Sequence, residues 1–361
     1  MKWLWKGVLA VVLVALLATG TALGYRAWRQ HEGEALMRIA TPNGVDEASF
    51  VELGGMQQWV TIRGHDRNNP VILVLHGGPG VPMGTLAFLS WEKEYTVAHW
   101  HQPGAGRTFL AAGRALPPDL TIESVVEDGI ELTEWLLRRL GKDKIIVLGE
   151  SWGSVLGVQM VRARPDLFSA YVGTGQIVAP QEGEAIAYDS VLAKARQRGD
   201  SVAIAELEAI GAPPYDAIAE TAVQRKWAVQ YELGHSLAAE GLPEVVAPRT
   251  TLAELYYGEA AFFASSRHFF GATMAGPLMQ LDLRRMGLDY AVPMFVIQGL
   301  NDDFTPAELG RAWLESISAP QKGFGPIETG GQFPLPDGSD EFLQFLRERV
   351  RPLASPPSTE R

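Results

Sequence analysis

Hydrophobic and polar positions along the chain follow two patterns that predict a sheet covered by helices. Alternation over 58–63 indicates a strand with one covered face, whereas the unbroken apolar run 70–75 is typical of a strand covered on both faces. Further strands are predicted at 95–100, 144–148, 167–173 and 292–299, and an edge strand at 323–328. A 3.6-residue apolar repeat predicts a helix from Ile122 to Leu140 that stops at Gly141. This order predicts an α/β fold with a mostly parallel sheet and helices on both faces.

The first 29 residues have a different pattern. The run from Gly7 to Tyr25 carries no charge, has basic and aromatic residues on both sides, and is about as long as a helix that crosses a bilayer. We expect an uncleaved single-pass transmembrane anchor, with the rest of the chain on the extracytoplasmic (periplasmic) side. A cleaved signal peptide is the alternative, since 20–22 offers small residues for cleavage, and the protein would then be secreted. Residues 30–47 are polar and predict a tether.

The remaining chain divides into a core and an insertion, which differ in their pattern of apolar and polar residues. Between 178 and 288 the sequence holds helical segments and aromatic clusters without a strand bounded by glycine, which predicts a helical cap. The sheet and its helices then occupy two parts, 48–177 and 289–351, and a proline-rich tail at 352–361 is predicted to be disordered.

Charge and composition narrow the function classes. The net charge is −11, and the first 29 residues hold four basic and no acidic groups, so the remainder carries −15. Such a surface repels nucleic acid and anionic lipid, so we expect no nucleic-acid partner and membrane contact through the N-terminal helix only. The chain has no cysteine, which excludes disulfides, thiol catalysis and cysteine-ligated metals. No motif calls for a cofactor or a metal.

The strand at 144–148 ends in Gly149-Glu150-Ser151-Trp152-Gly153, the G-x-S-x-G pattern of a nucleophile elbow. Such a turn is tight enough to need glycine on either side of the serine, and it lifts the Ser151 hydroxyl clear of the sheet. It also leaves the backbone N–H of Trp152 at a helix N-terminus, where negative charge is stabilised. Five residues alone also fit an ordinary strand-to-helix turn, so the context has to decide.

Two further motifs supply that context. His76-Gly77-Gly78-Pro79-Gly80 follows the strand at 70–75, and its glycines let backbone N–H groups approach a substrate closely, as an oxyanion hole requires. A plain glycine turn is the alternative. Asp302 follows the strand at 292–299, where the acid of a Ser…Asp…His order belongs, with Asp303 as the fallback; an Asn-Asp-Asp turn can also simply cap a helix.

With the 103–107 loop added, these motifs make the chain from Glu52 onward resemble α/β-hydrolases of the proline iminopeptidase group, peptidase family S33. The resemblance implies Ser151 as nucleophile, Asp302 as acid, and an oxyanion hole from the amides of Gly78 and Trp152. It also implies a helical cap whose acids receive a substrate's amino terminus, and a small peptide, amide or ester as the substrate.

The sequence departs from that family at two places. Gln332 stands where the family has its catalytic histidine, and His101 and Pro103 stand where it usually has aspartate and arginine. A glutamine has no site that binds a proton near neutral pH, so it cannot act as the base. Loss of one triad member typically leaves catalysis about 10³- to 10⁴-fold above water.

Three explanations of Gln332 remain open from the sequence. The protein is a non-catalytic pseudoenzyme that binds peptides or other ligands; or Gln332 is a substitution in an otherwise active enzyme; or another histidine, His101, His235 or His268, replaces the base. From the sequence we predict a serine hydrolase of the aminopeptidase or related amidase and esterase type, impaired by Gln332. The sequence makes no prediction about oligomeric state.

Overall fold

A computed structural model describes residues 2–233, 247–328, 330–331 and 339–354. Its centre is one eight-stranded sheet in the order β1-β2-β4-β3-β5-β6-β7-β8. The strands are β1 (Val45–Leu53), β2 (Met56–Gly64), β3 (Val71–Leu75), β4 (Thr96–His101), β5 (Ile145–Glu150), β6 (Phe168–Thr174), β7 (Met294–Gly299) and β8 (Lys322–Ile327). β2 pairs antiparallel with β1 and with β4, and the other neighbouring strands pair parallel. The predicted edge strand is confirmed, since β8 lies at the end of the sheet.

The described helices follow the predicted order. They are α1 (Lys2–Leu36), α2 (Gly106–Ala111), α3 (Ile122–Leu140), α4 (Trp152–Ala163), α5 (Pro180–Arg198), α6 (Ser201–Ile210), α7 (Ile218–Leu233), α8 (Leu252–Phe269), α9 (Ala307–Ser316), α10 (Ser339–Phe345) and α11 (Arg351–Ala354), with a π-helical turn at Leu346–Val350. Short 3-10 turns lie at Thr85–Phe88, Trp91–Lys93, Pro165–Leu167, Pro277–Gln280 and Leu283–Met286.

The central strands are buried on both faces, as the unbroken apolar runs predict. Every residue of β3 is buried, and its side chains alternate between two hydrophobic clusters. Leu73 packs in the cluster that includes α3 and α4, whereas Ile72 and Val74 pack in the one that includes α10. A strand covered in this way cannot expose polar groups along its length, so chemistry is confined to its ends.

Helix α3 has the predicted bounds because both of its ends are specified locally. At the start, Thr121 and Ser124 form a reciprocal capping box, with Ser124 N donating to Thr121 Oγ1 over 3.0 Å. At the end, Gly141 takes a left-handed conformation with φ of 65°, which only glycine adopts without a steric penalty.

The predicted cap lies between β6 and β7. Helices α5 to α8 belong to it, and α5, α6 and α7 share a small core of their own that includes Val191, Leu207 and Trp227. This arrangement places a helical layer after β6, at the same edge of the sheet where the predicted catalytic motifs end.

The tether predicted at 30–47 is corrected by the structure. Helix α1 continues to Leu36 and β1 already begins at Val45. The reason is a tertiary contact: the Gln30 amide donates to the carbonyl of Ala247 over 2.9 Å, so this polar part of the helix lies on the cap. The tail prediction is corrected over its first residues as well, because α11 reaches Ala354, and 355–361 lie outside the described residues.

Helix α1 has the length and composition of a membrane span. Among the described residues it alone meets that criterion, and its apolar part has a mean hydropathy of 2.2 and no buried residue. A signal sequence near the N-terminus passes the same test.

Candidate active site

The turn between β5 and α4 explains why the serine motif carries its two glycines. Ser151 itself sits at φ 49° and ψ −115°, a strained conformation for a residue with a side chain. A Cβ on Gly149 would lie 2.4 Å from the Gly153 oxygen, and a Cβ on Gly153 would lie 2.0 Å from the Leu75 oxygen. Both contacts are with backbone atoms that cannot move aside, so this turn accepts only glycine at either position.

Backbone contacts hold Ser151 at the start of α4. Its N–H donates to the Thr174 carbonyl of β6 over 2.9 Å, and its own carbonyl accepts from Ser154 N at 2.8 Å and Ser154 Oγ at 2.6 Å. The Ser151 residue is half-buried, whereas Trp152 behind it is buried. The Trp152 N–H belongs to the first helical residue, where the backbone donors of a helix have no acceptor within it.

The glycine loop lies beside this turn because β3 and β5 are paired neighbours. Gly78 has φ of 110°, and a Cβ there would lie 2.8 Å from the nitrogen of Gly80. A Cβ on Gly77 would lie 2.1 Å from a carboxylate oxygen of the buried Glu150. On its other side, Gly80 packs on α8, where a Cβ would meet the Ala261 oxygen at 3.0 Å. The loop is therefore held between the serine turn and the cap.

Gln102 connects these two motifs, although no sequence pattern points to it. Its Oε1 accepts from the Trp152 indole N–H over 2.8 Å, and its Nε2 donates to the His76 carbonyl over 3.2 Å. Its backbone N–H donates to His76 Nε2 over 3.3 Å. The His76 proton therefore lies on Nδ1, which donates to the Gly77 carbonyl over 2.8 Å. Burial lowers the pKa of His76 to about 4, so this ring is a neutral structural link at pH 7.

Asp302 lies in the turn after β7 and its carboxylate is buried. One oxygen accepts from Phe304 N at 2.9 Å and Thr305 N at 2.8 Å; the other accepts from Thr305 Oγ1 at 2.6 Å and Gln298 Nε2 at 3.2 Å. Burial raises the pKa of Asp302 to about 6, and these hydrogen bonds only partly offset that rise. The four donors fix the carboxylate in one orientation.

The neighbouring Asp303, the predicted fallback, points into the cap. Its carboxylate forms an ion pair with Lys194 and accepts from Ser190 Oγ over 2.7 Å, both on α5. Its backbone is held by α7: the N–H donates to Glu232 Oε1 over 2.8 Å, and the carbonyl accepts from Gln224 Nε2 over 3.1 Å. Asp303 thus binds the cap to the sheet.

Gln332 lies outside the described residues, and we call the two described residues before it, Gly330 and Gly331, the start of the Gln332 loop. Asn301 N donates to the Gly330 carbonyl over 3.0 Å, so Gly330 lies against the turn that carries Asp302. A Cβ on Gly331 would lie 2.4 Å from Glu232 Oε2. The structure thus brings together the Asp302 turn, the start of the Gln332 loop and one cap carboxylate.

The two described histidines that could replace a missing base are engaged elsewhere. His101 ends β4, and its Nδ1 accepts from Arg107 N over 3.0 Å. Burial holds the pKa of His101 well below 6.5, which makes it a weak proton acceptor. His268 donates from Nε2 to the Leu120 carbonyl over 2.7 Å. The third candidate, His235, lies outside the described residues. Within the described ranges, no three His, Asp or Glu side chains cluster as metal ligands.

Comparison with known proteins agrees with this geometry. A sequence model of the family described as alpha/beta hydrolase fold matches residues 70–322, and the chain therefore belongs to the α/β-hydrolase fold family. The probable aminopeptidase YbaC of Bacillus subtilis is 28% identical over 304 residues, which cover 83% of this chain and 95% of that protein.

Solved structures show the same fold. The proline iminopeptidase of Mycobacterium smegmatis aligns with a TM-score of 0.60 and 20% identity, covering 86% of this chain and 100% of that one. A proline iminopeptidase-related protein of Thermus thermophilus aligns with a TM-score of 0.58 and 18% identity, covering 86% and 99%. The resemblance to the proline iminopeptidase group and the predicted α/β-hydrolase fold are confirmed. The protein is thus a hydrolase by family.

Proposed function

We propose that the protein is a serine hydrolase that uses Ser151 to cleave small peptide, amide or ester substrates, most like an aminopeptidase. The observation that carries this proposal is the strained turn that holds Ser151 at the N-terminus of α4, beside the Gly78 loop. In the reaction, the Ser151 oxygen attacks the scissile carbonyl carbon, and the amine or alcohol leaves with the proton that the Ser151 hydroxyl has lost. Water then hydrolyses the acyl-serine, which releases the acid and restores the hydroxyl.

The oxyanion of each tetrahedral intermediate would be stabilised by the amides of Trp152 and Gly78. Support comes from the position of Trp152 at a helix N-terminus and from the Gln102 bridge, which holds the two motifs in fixed relation. Asp302 is the proposed acid, because its carboxylate is buried and fixed beside the start of the Gln332 loop, whereas the Asp303 carboxylate is bound to Lys194.

Gln332 makes the proposed enzyme slow. A glutamine cannot take the Ser151 proton, and the two described alternative histidines are hydrogen-bonded away from such a role. We therefore expect turnover of the kind that remains when only the oxyanion hole and substrate binding act, about 10³- to 10⁴-fold above water.

Glu232 is the proposed receiver of a substrate's amino terminus. Among the described cap acids it contacts both the Asp302–Asp303 turn and Gly331. A carboxylate at this place would attract the ammonium group of a peptide and would give an ester no advantage. In the Gln332→His background, Glu232→Gln should raise KM for an aminoacyl anilide at least tenfold and leave KM for a short-chain ester unchanged. Glu259→Gln, an exposed acid on α8, is the matched control.

The nucleophile is tested with a fluorophosphonate probe on the full chain. We expect the probe to label the wild type at Ser151 and not to label Ser151→Ala. Labelling that survives Ser151→Ala would place the nucleophile elsewhere and reject the proposal.

The base is tested by comparing the wild type with Gln332→His on proline p-nitroanilide and on a short-chain ester. The histidine variant should gain at least 10²-fold in kcat, because it restores general-base catalysis. A fast wild type would contradict the assigned effect of Gln332. No turnover by either variant would contradict the hydrolase proposal and favour a ligand-binding role.

We also propose that α1 remains attached as a single-pass anchor and holds the domain on the extracytoplasmic side of the membrane. Its composition and its contacts with the cap support this proposal. The mass of the mature chain from the membrane fraction should include residues 1–29. A soluble mature chain that begins after about residue 22 would show that the segment is a cleaved signal.

A further inference from the structure

The polar end of α1 lies directly on the segment that leads into cap helix α8. Gln30 Nε2 donates to the carbonyl of Ala247 over 2.9 Å and to that of Thr250 over 3.0 Å, and the Arg26 guanidinium also donates to Thr250. A Cβ on Gly33 would lie 2.2 Å from Cγ of Pro248, so the helix and this segment are in close contact.

Charged contacts fix the same position. The Arg249 guanidinium pairs with Glu34 of α1 at 3.2 Å and with Asp46 of β1 at 2.7 Å. Arg107 donates to the Arg249 carbonyl and pairs with Glu254 of α8 at 3.2 Å. Each pair is partly exposed and weak by itself, but together they join α1, the sheet and the start of α8 at one place.

This contact determines where α8 begins relative to a bilayer that holds α1. As a helix, the uncharged run 7–25 is about 29 Å long, close to the ~30 Å thickness of the hydrocarbon layer. Gln30 then lies ~7.5 Å beyond the end of the run, at the outer limit of a headgroup layer that is ~5–7.5 Å thick. The segment that Arg26 and Gln30 bind therefore lies at headgroup level, and so does the first turn of α8.

Helix α8 presents an apolar stripe to solvent, which we define as Leu252, Tyr256 and Phe263. These side chains are 54%, 78% and 54% exposed, and their spacing places them on one face of the helix. Two of the stripe residues, Leu252 and Tyr256, line an open apolar concavity together with residues 253, 255 and 257. Glu259 is exposed on the same face, which suits a position among headgroups and excludes deep insertion.

The opposite face of α8 is already used by the fold. Ser265 Oγ donates to the Gly104 carbonyl over 3.1 Å, Ala261 packs on Gly80, and the Phe269 ring lies 4.5 Å from that of Trp152. The stripe is thus not needed for packing against the site. Tyrosine and large apolar residues on one side of a helix are typical of a membrane interface.

We propose that the α8 stripe rests in the interfacial layer of the membrane that holds α1, so that a second element of the chain besides the anchor contacts lipid. The inference rests on the proposed anchor. It revises the expectation from net charge, because the three stripe residues are uncharged and zwitterionic lipid does not repel Glu259, the exposed acid on the same face. One helix then contacts lipid with one face and the glycine loop with the other.

The absence of cysteine allows a direct test with single-cysteine variants of the full chain in phosphatidylcholine liposomes. Leu13→Cys reports the anchor, Tyr256→Cys and Phe263→Cys report the stripe, and Val202→Cys on α6, 59% exposed, is the matched control. Each variant carries a nitroxide, and its collision rates with oxygen and with a water-soluble nickel complex are measured. We expect the labels at Tyr256 and Phe263 to give a ratio of oxygen to nickel collision rates at least threefold higher than the label at Val202. Their ratio should remain below that of the label at Leu13.

The outcomes separate the stripe from the anchor. A lipid-exposed Leu13 label with stripe labels that match Val202 would overturn this inference and leave the anchor proposal standing. A Leu13 label in water would overturn both. Spin–spin broadening at Tyr256 that grows with the protein-to-lipid ratio would show a second copy of the chain on the stripe and would also overturn the inference. Thermal unfolding of each labelled variant confirms that it is folded.

Discussion

Replacing Gln102 by leucine tests the link between the serine turn and the glycine loop. The change keeps the side-chain volume roughly constant but removes two hydrogen bonds, so the Trp152 indole N–H and the His76 carbonyl lose partners at 2.8 and 3.2 Å. Both groups are buried, and a buried polar group without a partner costs ~1–3 kcal/mol. We therefore expect Gln102→Leu to lower the free energy of unfolding by ~2–6 kcal/mol.

The matched control is Gln159→Leu. Gln159 lies on α4, is half-buried, and makes a single long hydrogen bond of 3.5 Å to the Val155 carbonyl. The same substitution there should change stability by less than ~0.5 kcal/mol. Urea unfolding of the three full-length proteins in one detergent measures the difference, with the tryptophan fluorescence as signal.

A functional readout accompanies the stability measurement. Because Gln102 bridges the two motifs that carry the proposed oxyanion-hole amides, the rate of fluorophosphonate labelling at Ser151 should fall ~10- to 100-fold in Gln102→Leu. It should not change in the Gln159 control. Equal stability and equal labelling rates for the two leucine variants would refute the view that Gln102 positions the site.

Three other substitutions test neighbouring parts of the site. Burial raises the pKa of Asp302 from 3.8 to about 6. Between pH 4 and pH 6 the folded protein therefore keeps a proton on Asp302 that the unfolded chain has released, and the free energy of unfolding of the wild type falls as the pH rises. Asp302→Asn removes this effect, so the free energy of unfolding of the variant should rise by ~3 kcal/mol relative to that of the wild type between pH 4 and pH 7. If the two proteins showed the same dependence of stability on pH, this prediction would be wrong. Gly153→Ala should destabilise by at least ~3 kcal/mol in urea unfolding, because its Cβ would lie 2.0 Å from the Leu75 oxygen, whereas alanine at the exposed and uncrowded Gly258 should be neutral or stabilising. Asp303→Asn should cost ~1–3 kcal/mol by removing the Lys194 pair, and it should speed proteolysis of the cap; unchanged proteolysis would mean that the pair does not hold the cap.

Local rules account for the parts of the fold that the sequence predicted. The glycines of the serine turn are required by contacts within a few residues and with the adjacent strand, and α3 is bounded by its own capping box and by Gly141. Strands covered on both faces are recognisable because every position is apolar, as in β3. Apart from the contact of Gly153 with Leu75, these features are determined by neighbours along the chain, so a sequence reveals them.

Other features depend on contacts between distant parts of the chain. The pattern at residues 30–36 is polar and resembles a linker, and only the contact of Gln30 with Ala247 shows why the helix continues. Asp302 and Asp303 are adjacent and chemically alike, yet the turn of Asp302 contacts Gly330 through Asn301, and the Asp303 carboxylate pairs with Lys194 on the cap. The bridging role of Gln102 requires His76 and Trp152 to be close in space, which no local pattern states.

The contacts of the cap with Asp303 affect how a substrate could reach the site beneath the cap. Cap helix α5 binds the Asp303 carboxylate, and cap helix α7 binds its N–H and its carbonyl. On that side the cap cannot swing open without disturbing the turn that carries the proposed catalytic acid. For the proposed hydrolase, we therefore expect substrate and product to exchange on the far side of the cap, which would leave the alignment of Asp302 undisturbed.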